Sequence, residues 1–286
     1  MKPIKITTDT ASDISLETAE KYGIHLMPIN LTIDGKQCKD RYDIDPVEFL
    51  ELLPKCAEIP KTSQVTVIEH MEEFKKLKDD YTIIHVSLSG NASGTNQSAR
   101  LAAEEIMEED SEADITVLDS MSFSYGYGMY VIEAAQMAMD GKSKEDIIST
   151  LTDRFQNCRI YFATDTLEYL KKGGRISAAS KVIADVLDIS PILTIEDGLV
   201  VSKSKVRGKK KIPSVITDMV AESIDKDKTH SIGLIHANDP AISNKVIDLL
   251  KEKTGIESYC VELLGPTIGI HAGPGAWGVI FQEKKL

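Results

Sequence analysis

A single histidine, His271, lies in a segment that is rich in glycine and proline. Residues 265–278 contain five glycines and two prolines. Glycine opens backbone conformations that other residues avoid, and proline fixes its own φ, so this segment can hold one side chain in a defined place. The imidazole there is either a ligand-binding group that can be charged near neutral pH or a satisfied core histidine in a tight crossing between two strands.

Three hydroxyl-rich segments lie where a predicted strand leads into a predicted helix: residues 7–13, 61–64 and 87–98. Ser93, in the third segment, precedes a helix predicted from about Asn96 to Glu109. The free N–H groups and the dipole at a helix N-terminus favour an anion. These segments therefore predict an anion site, and the alternative is that Ser93 or Thr95 only caps the helix.

Signatures of nucleotide, metal and hydrolase sites are missing from the sequence. The segment from Gly90 to Thr95 lacks the GK[ST] ending of a P-loop, no GxGxxG follows a strand, and Ser93 does not stand in a GxSxG elbow. The four cysteines have no metal-ligand spacing. We therefore expect no cofactor, no metal and no catalytic residue.

The order of the predicted elements indicates an α/β protein with two domains. Strands and helices alternate in residues 1–150, which predicts a parallel sheet between helices. Residues 151–286 predict an α+β domain with a mixed sheet. Hairpins are expected at Asp34-Gly35 and Asp197-Gly198, one strand over Leu26–Ile33, a helix over Ile176–Leu187, and strands on both sides of the His271 loop.

Composition restricts the partners. The chain has 286 residues, 42% hydrophobic residues and a formal net charge of -12, which argues against general affinity for nucleic acid or anionic membrane. No apolar run approaches the roughly 20 residues that span a bilayer, and no signal peptide is visible, so we expect a cytoplasmic protein without stable membrane insertion.

One basic run departs from this acidic balance; it comprises Lys203, Lys205, Arg207, Lys209, Lys210 and Lys211. It is either a solvated edge strand or a docking face for an acidic partner or a phosphate.

Five motifs in order give the chain a likeness to a known family. They are Thr7–Asp13, Lys61–Gln64, Ser87–Ser98, Lys171–Ser177 and Gly265–Gly278. Together they cover nearly the whole chain, which resembles the DegV family of bacterial fatty-acid-binding proteins. Three features depart from the usual family pattern: Ala11, the Gly90-Asn91-Ala92 run and Asn96. They border the expected head-group pocket and leave its preferred acyl chain open.

The resemblance implies a carrier rather than an enzyme. Thr62, Ser93 and His271 would bind the carboxylate of a long-chain fatty acid, and the chain would present that carboxylate to a separate ATP-dependent fatty acid kinase for acyl phosphate formation. Arg175 and Arg207 match positions that could meet the kinase or the new phosphate.

Other interpretations of the sequence stay open. The tunnel for the acyl chain could be lined by the helix with Ile183, Val186 and Leu187 and by the strand Ile192–Ile195, although ordinary core packing is the favoured explanation of these residues. The alternative function is a hydrolase or phosphotransferase that acts through Ser93 and His271. A DNA-associated regulator rests on the basic run alone, and the net charge opposes it.

Overall fold

The structure is a computed structural model that describes residues 2–176 and 189–284. Its strands are β1 (Ile4–Asp9), β2 (His25–Met27), β3 (Asn30–Ile33), β4 (Lys36–Lys39), β5 (Lys61–Ser63), β6 (Thr82–Ser87), β7 (Ile115–Asp119), β8 (Cys158–Ala163), β9 (Ile189–Glu196), β10 (Leu199–Arg207), β11 (Ile232–His236), β12 (Tyr259–Leu263) and β13 (Trp277–Gln282). Its α-helices are α1 (Leu16–Lys21), α2 (Pro46–Leu52), α3 (Val67–Leu77), α4 (Thr95–Glu109), α5 (Tyr125–Met139), α6 (Lys144–Asn157), α7 (Glu168–Lys172), α8 (Ile212–Ser223), α9 (Pro240–Thr254) and α10 (Pro266–Ala272). The helix predicted over residues 176–187, with Ile183, Val186 and Leu187, lies almost entirely outside the described residues.

Three sheets organise these elements. The first has four parallel strands in the order β2-β1-β6-β7, and the second has six strands in the order β10-β9-β8-β13-β11-β12. The second is mixed, because β11 and β12 pair in parallel while its other neighbours are antiparallel. A third, antiparallel sheet has the order β4-β3-β5. The predicted α/β class, with a parallel sheet first and a mixed sheet second, is confirmed.

Local sequence signals explain where several helices begin. Asp45 accepts from the backbone N–H of Val47 at 2.8 Å ahead of Pro46 in α2. Thr66 and Glu69 form both bonds of a capping box at the start of α3. These bonds satisfy N–H groups that the first helical turn leaves free.

Two predicted elements differ from the structure. The strand expected over Leu26–Ile33 is split into β2 and β3, which join different sheets. Pro28 lies at the break, where its missing N–H and fixed φ interrupt the ladder. The segment around His271 is not a plain inter-strand loop, because it contains the short helix α10, with Pro266 in the first turn and Gly273 after it at φ +80°.

Buried side chains connect the two larger sheets. One apolar cluster includes Ile6 of β1, Tyr127 and Val131 of α5, and Ile160 and Ile280 of the second sheet. Helix α5 thus packs between the two predicted domains, so the division into residues 1–150 and 151–286 stays a prediction.

Candidate functional site

The carboxyl ends of β1 and β6 form the crevice on which the site is built. In the order β2-β1-β6-β7 the chain leaves β1 toward β2 on one side and returns to β6 on the other. Ligands of open parallel sheets usually bind at such a point. Asp9, at the end of β1, accepts a hydrogen bond at 3.0 Å from the backbone N–H of Leu88, just after β6. The hydroxyl-rich segments thereby meet at one edge.

A cavity of about 330 Å³ opens beside this crevice. That volume is at the lower end of the roughly 300–1,000 Å³ typical of ligand pockets. The apolar side chains of its wall come from both halves of the chain and include Phe123, Ile160, Phe162, Leu170, Ile195 and Val200. Of the strand proposed as tunnel lining, Ile195 faces the cavity. Leu193 packs in the same apolar cluster as several lining residues without lining the cavity itself, and Ile192 is buried in a different cluster.

Four of the five predicted site residues line this one cavity: Thr62, Ser93, Arg175 and His271. They lie on β5, before α4, after α7 and on α10, so the fold brings together residues that are more than 200 positions apart in sequence. Arg207 is exposed at the end of β10 and is not among the lining residues. The structure therefore separates the two predicted arginines.

His271 and Thr62 share a hydrogen bond. Their Nε2 and Oγ1 atoms are 3.1 Å apart. Nδ1 of His271 is buried and has no hydrogen-bond partner within the described residues. Burial, and secondly the charge of Arg175, lower the pKa of His271 to about 4. The sequence left the charge of His271 open, and this environment favours the neutral imidazole, because desolvation disfavours the cation.

Ser93 lines the cavity and also bonds to the first residue of α4. Its Oγ accepts a hydrogen bond at 3.2 Å from the backbone N–H of Thr95 and lies 3.0 Å from the hydroxyl of Thr95. The N-cap of α4 is Gly94, which makes no side-chain cap bond. Neither Ser93 nor Thr95 is therefore the N-cap residue that the alternative interpretation expected.

Gly94 leaves room for the side chain of Gln64 next to the start of α4. A Cβ at this position would lie 1.9 Å from Oε1 of Gln64, which is itself a lining residue. The Gln64 amide donates to Ser98 Oγ at 2.9 Å and so joins the segment after β5 to α4.

Buried carboxylates that the sequence did not single out as a unit hold α10 in place. Asp13 accepts from the backbone N–H of Gly265 at 2.8 Å and from Arg41 at 3.1 Å. Asp40 accepts from both the backbone N–H and the hydroxyl of Thr267. Both carboxylates lie at the positive end of the helix that carries His271. Only the folded chain brings Asp13 and Asp40 to α10, so sequence spacing could not reveal this clamp.

Burial sets the protonation of these acids. It raises the pKa of Asp13, despite the opposing charge of Arg41, and raises the pKa of Asp40 to about 6. Burial also raises the pKa of Asp9 to about 6, although Tyr127 donates to it at 2.7 Å.

The basic run begins on an edge strand and continues beyond it. Its first three residues belong to β10, the outer strand of the six-stranded sheet, and its last three lysines form a short 3-10 helix after β10. Two lysines of the run have acidic neighbours, Lys203 with Glu196 at 3.6 Å and Lys209 with Asp165 at 3.3 Å. This placement agrees with the edge-strand interpretation for β10, and Arg207 is exposed at the end of that strand.

The geometry does not supply the nucleophile–base pair of a hydrolase. Ser93 bonds to Thr95, whereas His271 bonds to Thr62. A serine nucleophile needs its base at hydrogen-bond distance. Nothing in the site therefore favours the hydrolase or phosphotransferase alternative over binding.

None of the atypical residues Ala11, Asn91 and Asn96 is among the residues that line the cavity. Asn96 is buried, donates to Ser87 Oγ at 2.8 Å and accepts from Arg100 at 2.9 Å. Of the atypical Gly90-Asn91-Ala92 run, only Ala92 lines the cavity, so most of the departures from the family pattern lie outside its wall.

In the part of the chain that the structure describes, no helix is both long and apolar enough to cross a bilayer.

Comparisons with known proteins agree along the whole chain. Residues 3–284 match the family described as "Uncharacterised protein, DegV family". A DegV domain-containing protein of Caldanaerobacter subterraneus is 38% identical over 285 residues, which cover 99% of this chain and 100% of the relative. The crystal structure of DegV, a fatty acid binding protein from Bacillus subtilis, superposes with a TM-score of 0.87 at 30% identity and covers 99% of this chain and 100% of its own. A fatty-acid-binding DegV family protein from Thermus thermophilus gives a TM-score of 0.87 at 27% identity, with the same coverage. With its sequence, fold and motifs in agreement, this chain belongs to the DegV family.

Proposed function

We propose that this protein binds a long-chain fatty acid in the cavity and presents its carboxylate to a separate ATP-dependent kinase. One observation carries the proposal: a single cavity is lined by apolar side chains from both halves of the chain and by the hydrogen-bonding side chains of Thr62, Ser93 and His271. The similar proteins of B. subtilis and T. thermophilus are described as fatty acid binding, which supports the same ligand class here.

The head-group end suits a carboxylate. We assign the His271 proton to Nε2, because Nδ1 lies against Gly173, whose carbonyl oxygen accepts from the Arg175 guanidinium at 2.6 Å. A lone pair on Nδ1 is favoured next to that cation. His271 then donates to Thr62, and the Thr62 hydroxyl proton is left to donate to the ligand. Ser93 adds a second hydroxyl next to the N-terminus of α4, so the buried carboxylate would be hydrogen-bonded as it must be.

The apolar walls would supply the affinity. Each buried methylene contributes roughly 0.8 kcal/mol, so a long acyl chain provides several times the energy of the head-group bonds before ordering costs. The hydroxyls and His271 would mainly fix which end of the ligand faces outward.

The kinase step assigns different roles to the two arginines. Arg175 lies at the cavity, where its fork would pair with the carboxylate or with the phosphate formed on it. Arg207 lies on the exposed edge strand, where it would contact the kinase. The cytoplasmic location, where ATP and such a kinase occur, stays a prediction.

Reconstitution tests the presentation step. The protein loaded with palmitic acid is mixed with Mg-ATP and the fatty acid kinase of the same bacterium, and the acyl phosphate is trapped with hydroxylamine as a hydroxamate. We expect hydroxamate only when protein, kinase and ATP are all present. A loaded protein that yields none with an active kinase would contradict the carrier role, and hydroxamate without kinase would make this chain the enzyme.

A further inference from the structure

The turn between β9 and β10 docks on the segment that carries Ser93. The hydroxyl of Ser89 donates to the carbonyl oxygen of Gly198 at 2.7 Å, and the side-chain amide of Asn91 donates to the carbonyl oxygen of Asp197 at 2.8 Å. Ser89 is fully buried in this contact. Two side chains thus bind two consecutive backbone carbonyls of a hairpin tip more than 100 positions away in sequence.

The contact joins two walls of the cavity. On one side, Leu88, Ala92 and Ser93 line it from the segment after β6; on the other, Ile195 and Val200 line it from β9 and β10. Ile195 and Val200 each stand two residues from the bonded tip. Ser89 and Asn91 are not lining residues, so their bonds act on the spacing of the walls and not on the ligand.

Glycine is required at this tip for two separate reasons. Asp197 and Gly198 have φ values of 49° and 69°, which suit a tight hairpin turn. In addition, a Cβ on Gly198 would lie 2.2 Å from Ser89 Oγ. The chain contains a matched turn at Asp34-Gly35, with φ values of 46° and 78°, where a Cβ on Gly35 would meet nothing within 4 Å. The Gly35 turn therefore has the left-handed backbone of the Gly198 turn without its close contact to another segment.

We propose that Ser89, Asn91 and the Asp197-Gly198 turn form a latch that holds the cavity closed and sets the rate of fatty acid exchange. This proposal rests on the proposed binding function. The latch bonds do not involve the ligand, so they hold the walls together with or without one. Breaking them lowers the barrier for uptake and release alike and leaves the equilibrium affinity nearly unchanged. Loss of a head-group bond has a different signature, because it accelerates release alone.

Exchange kinetics test the latch. Protein loaded with ¹⁴C-palmitic acid is mixed with an excess of delipidated albumin to measure release, and uptake is followed with the delipidated protein. We expect Ser89→Ala and Asn91→Ala each to accelerate both rates roughly fivefold, the effect of one hydrogen bond of about 1 kcal/mol. Gly198→Ala should accelerate both rates more strongly, because it displaces Ser89 and both carbonyls.

Matched variants act as controls. Gly35→Ala introduces the same left-handed strain without a docked tip, and Asn244→Ala removes an exposed asparagine of α9. Both should exchange palmitic acid like the wild type. Hydrogen exchange of a peptide that covers residues 195–200 should increase in Asn91→Ala and not in Asn244→Ala.

The outcomes separate the latch from the binding function. Release and uptake that are unchanged in both Ser89→Ala and Asn91→Ala would overturn the latch, and so would faster release without faster uptake. A wild-type protein that binds no palmitic acid would overturn the binding function, whereas increased hydrogen exchange in Asn91→Ala would still show that the bond holds the tip.

Discussion

At the scale of single residues, the bond between Thr62 and His271 determines what the site offers a ligand. When neutral His271 donates its Nε2 proton to Thr62, the Thr62 hydroxyl proton is available for a hydrogen bond to the ligand. Arg175 contributes positive charge without a hydrogen bond to the imidazole in the described contacts. The site is therefore a set of donors of low net charge, which suits a carboxylate with an apolar tail better than a phosphate ester.

Removal of either hydroxyl should weaken binding. We expect Thr62→Val and Ser93→Ala each to reduce the affinity for palmitic acid by roughly 1.5–3 kcal/mol, the range for a hydrogen bond to a charged group. Titration of the delipidated variants measures this loss. Thr62→Ser should retain most of the affinity, and Thr32→Val, on neighbouring β3, should retain all of it. Affinity like the wild type's in both Thr62→Val and Ser93→Ala would place the head group elsewhere.

Protonation of His271 should couple binding to pH. Its pKa is about 4 in the free protein, and the negative charge of a carboxylate bound to the neighbouring Thr62 would raise it. The complex then binds more protons than the free protein, so the affinity should rise as the pH falls through the pKa of the complex. The dissociation constant measured from pH 8 to pH 5.5 should fall more steeply for the wild type than for His271→Gln. Parallel curves would show that His271 does not titrate on binding.

At the scale of elements, the sequence predicted what local signals specify. Both Asp-Gly hairpins form, because each depends on residues adjacent in the chain. The small sheet of β3, β4 and β5 was missed, since only long-range pairing makes Lys61–Ser63 a strand. Helix α10 was missed because its glycine-rich sequence is typical of a loop. Asp13 and Asp40, which lie outside the helix, stabilise its first turn.

The clamp on α10 should make stability depend on pH through Asp40. The pKa of Asp40 is about 6 in the folded protein and near 3.8 in the unfolded chain, so the folded state binds more protons between pH 3.8 and pH 6. Stability from this group is therefore fully present at low pH and is lost as the pH rises through about 6. Asn keeps the shape without the charge, so Asp40→Asn should be more stable than the wild type at pH 8, by about 2–3 kcal/mol at about 1.4 kcal/mol per pKa unit.

Urea unfolding at pH 5 and pH 8 measures this difference between Asp40→Asn and the wild type. Asp40→Ala, which removes the acceptor of both Thr267 donors, should lower the free energy of unfolding at both pH values. An equal difference between Asp40→Asn and the wild type at both pH values would contradict the raised pKa.

Arg207, at the exposed end of β10, should serve the kinase and not the lipid. We expect Arg207→Ala to bind palmitic acid like the wild type and to give less acyl phosphate with kinase and ATP, with a defect that grows as salt screens the remaining contacts. Lys245→Ala, which removes an exposed cation of α9, is the control and should change neither quantity. If Arg207→Ala lost as much lipid affinity as Ser93→Ala, the basic run would be part of the binding site.

At the scale of the whole molecule, the cavity depends on both halves of the chain. Ser93 and Thr62 come from the half with the parallel sheet, whereas His271, Arg175 and most of the apolar wall come from the half with the mixed sheet. The family motifs identified the polar residues from sequence. The apolar wall could not be predicted, because packing of α5 against both sheets decides which of many buried side chains face the cavity.

Every role proposed for this protein depends on one long-chain fatty acid in the cavity. Native mass spectrometry of the protein purified from bacterial cells detects such a ligand. We expect an added mass of one long-chain fatty acid per chain, which disappears on delipidation and returns with palmitic acid. A Thr62→Val, Ser93→Ala double variant should retain less of the acid. Purified protein without a long-chain acid, together with delipidated protein that fails to take up palmitic acid, would rule out a fatty acid as the ligand.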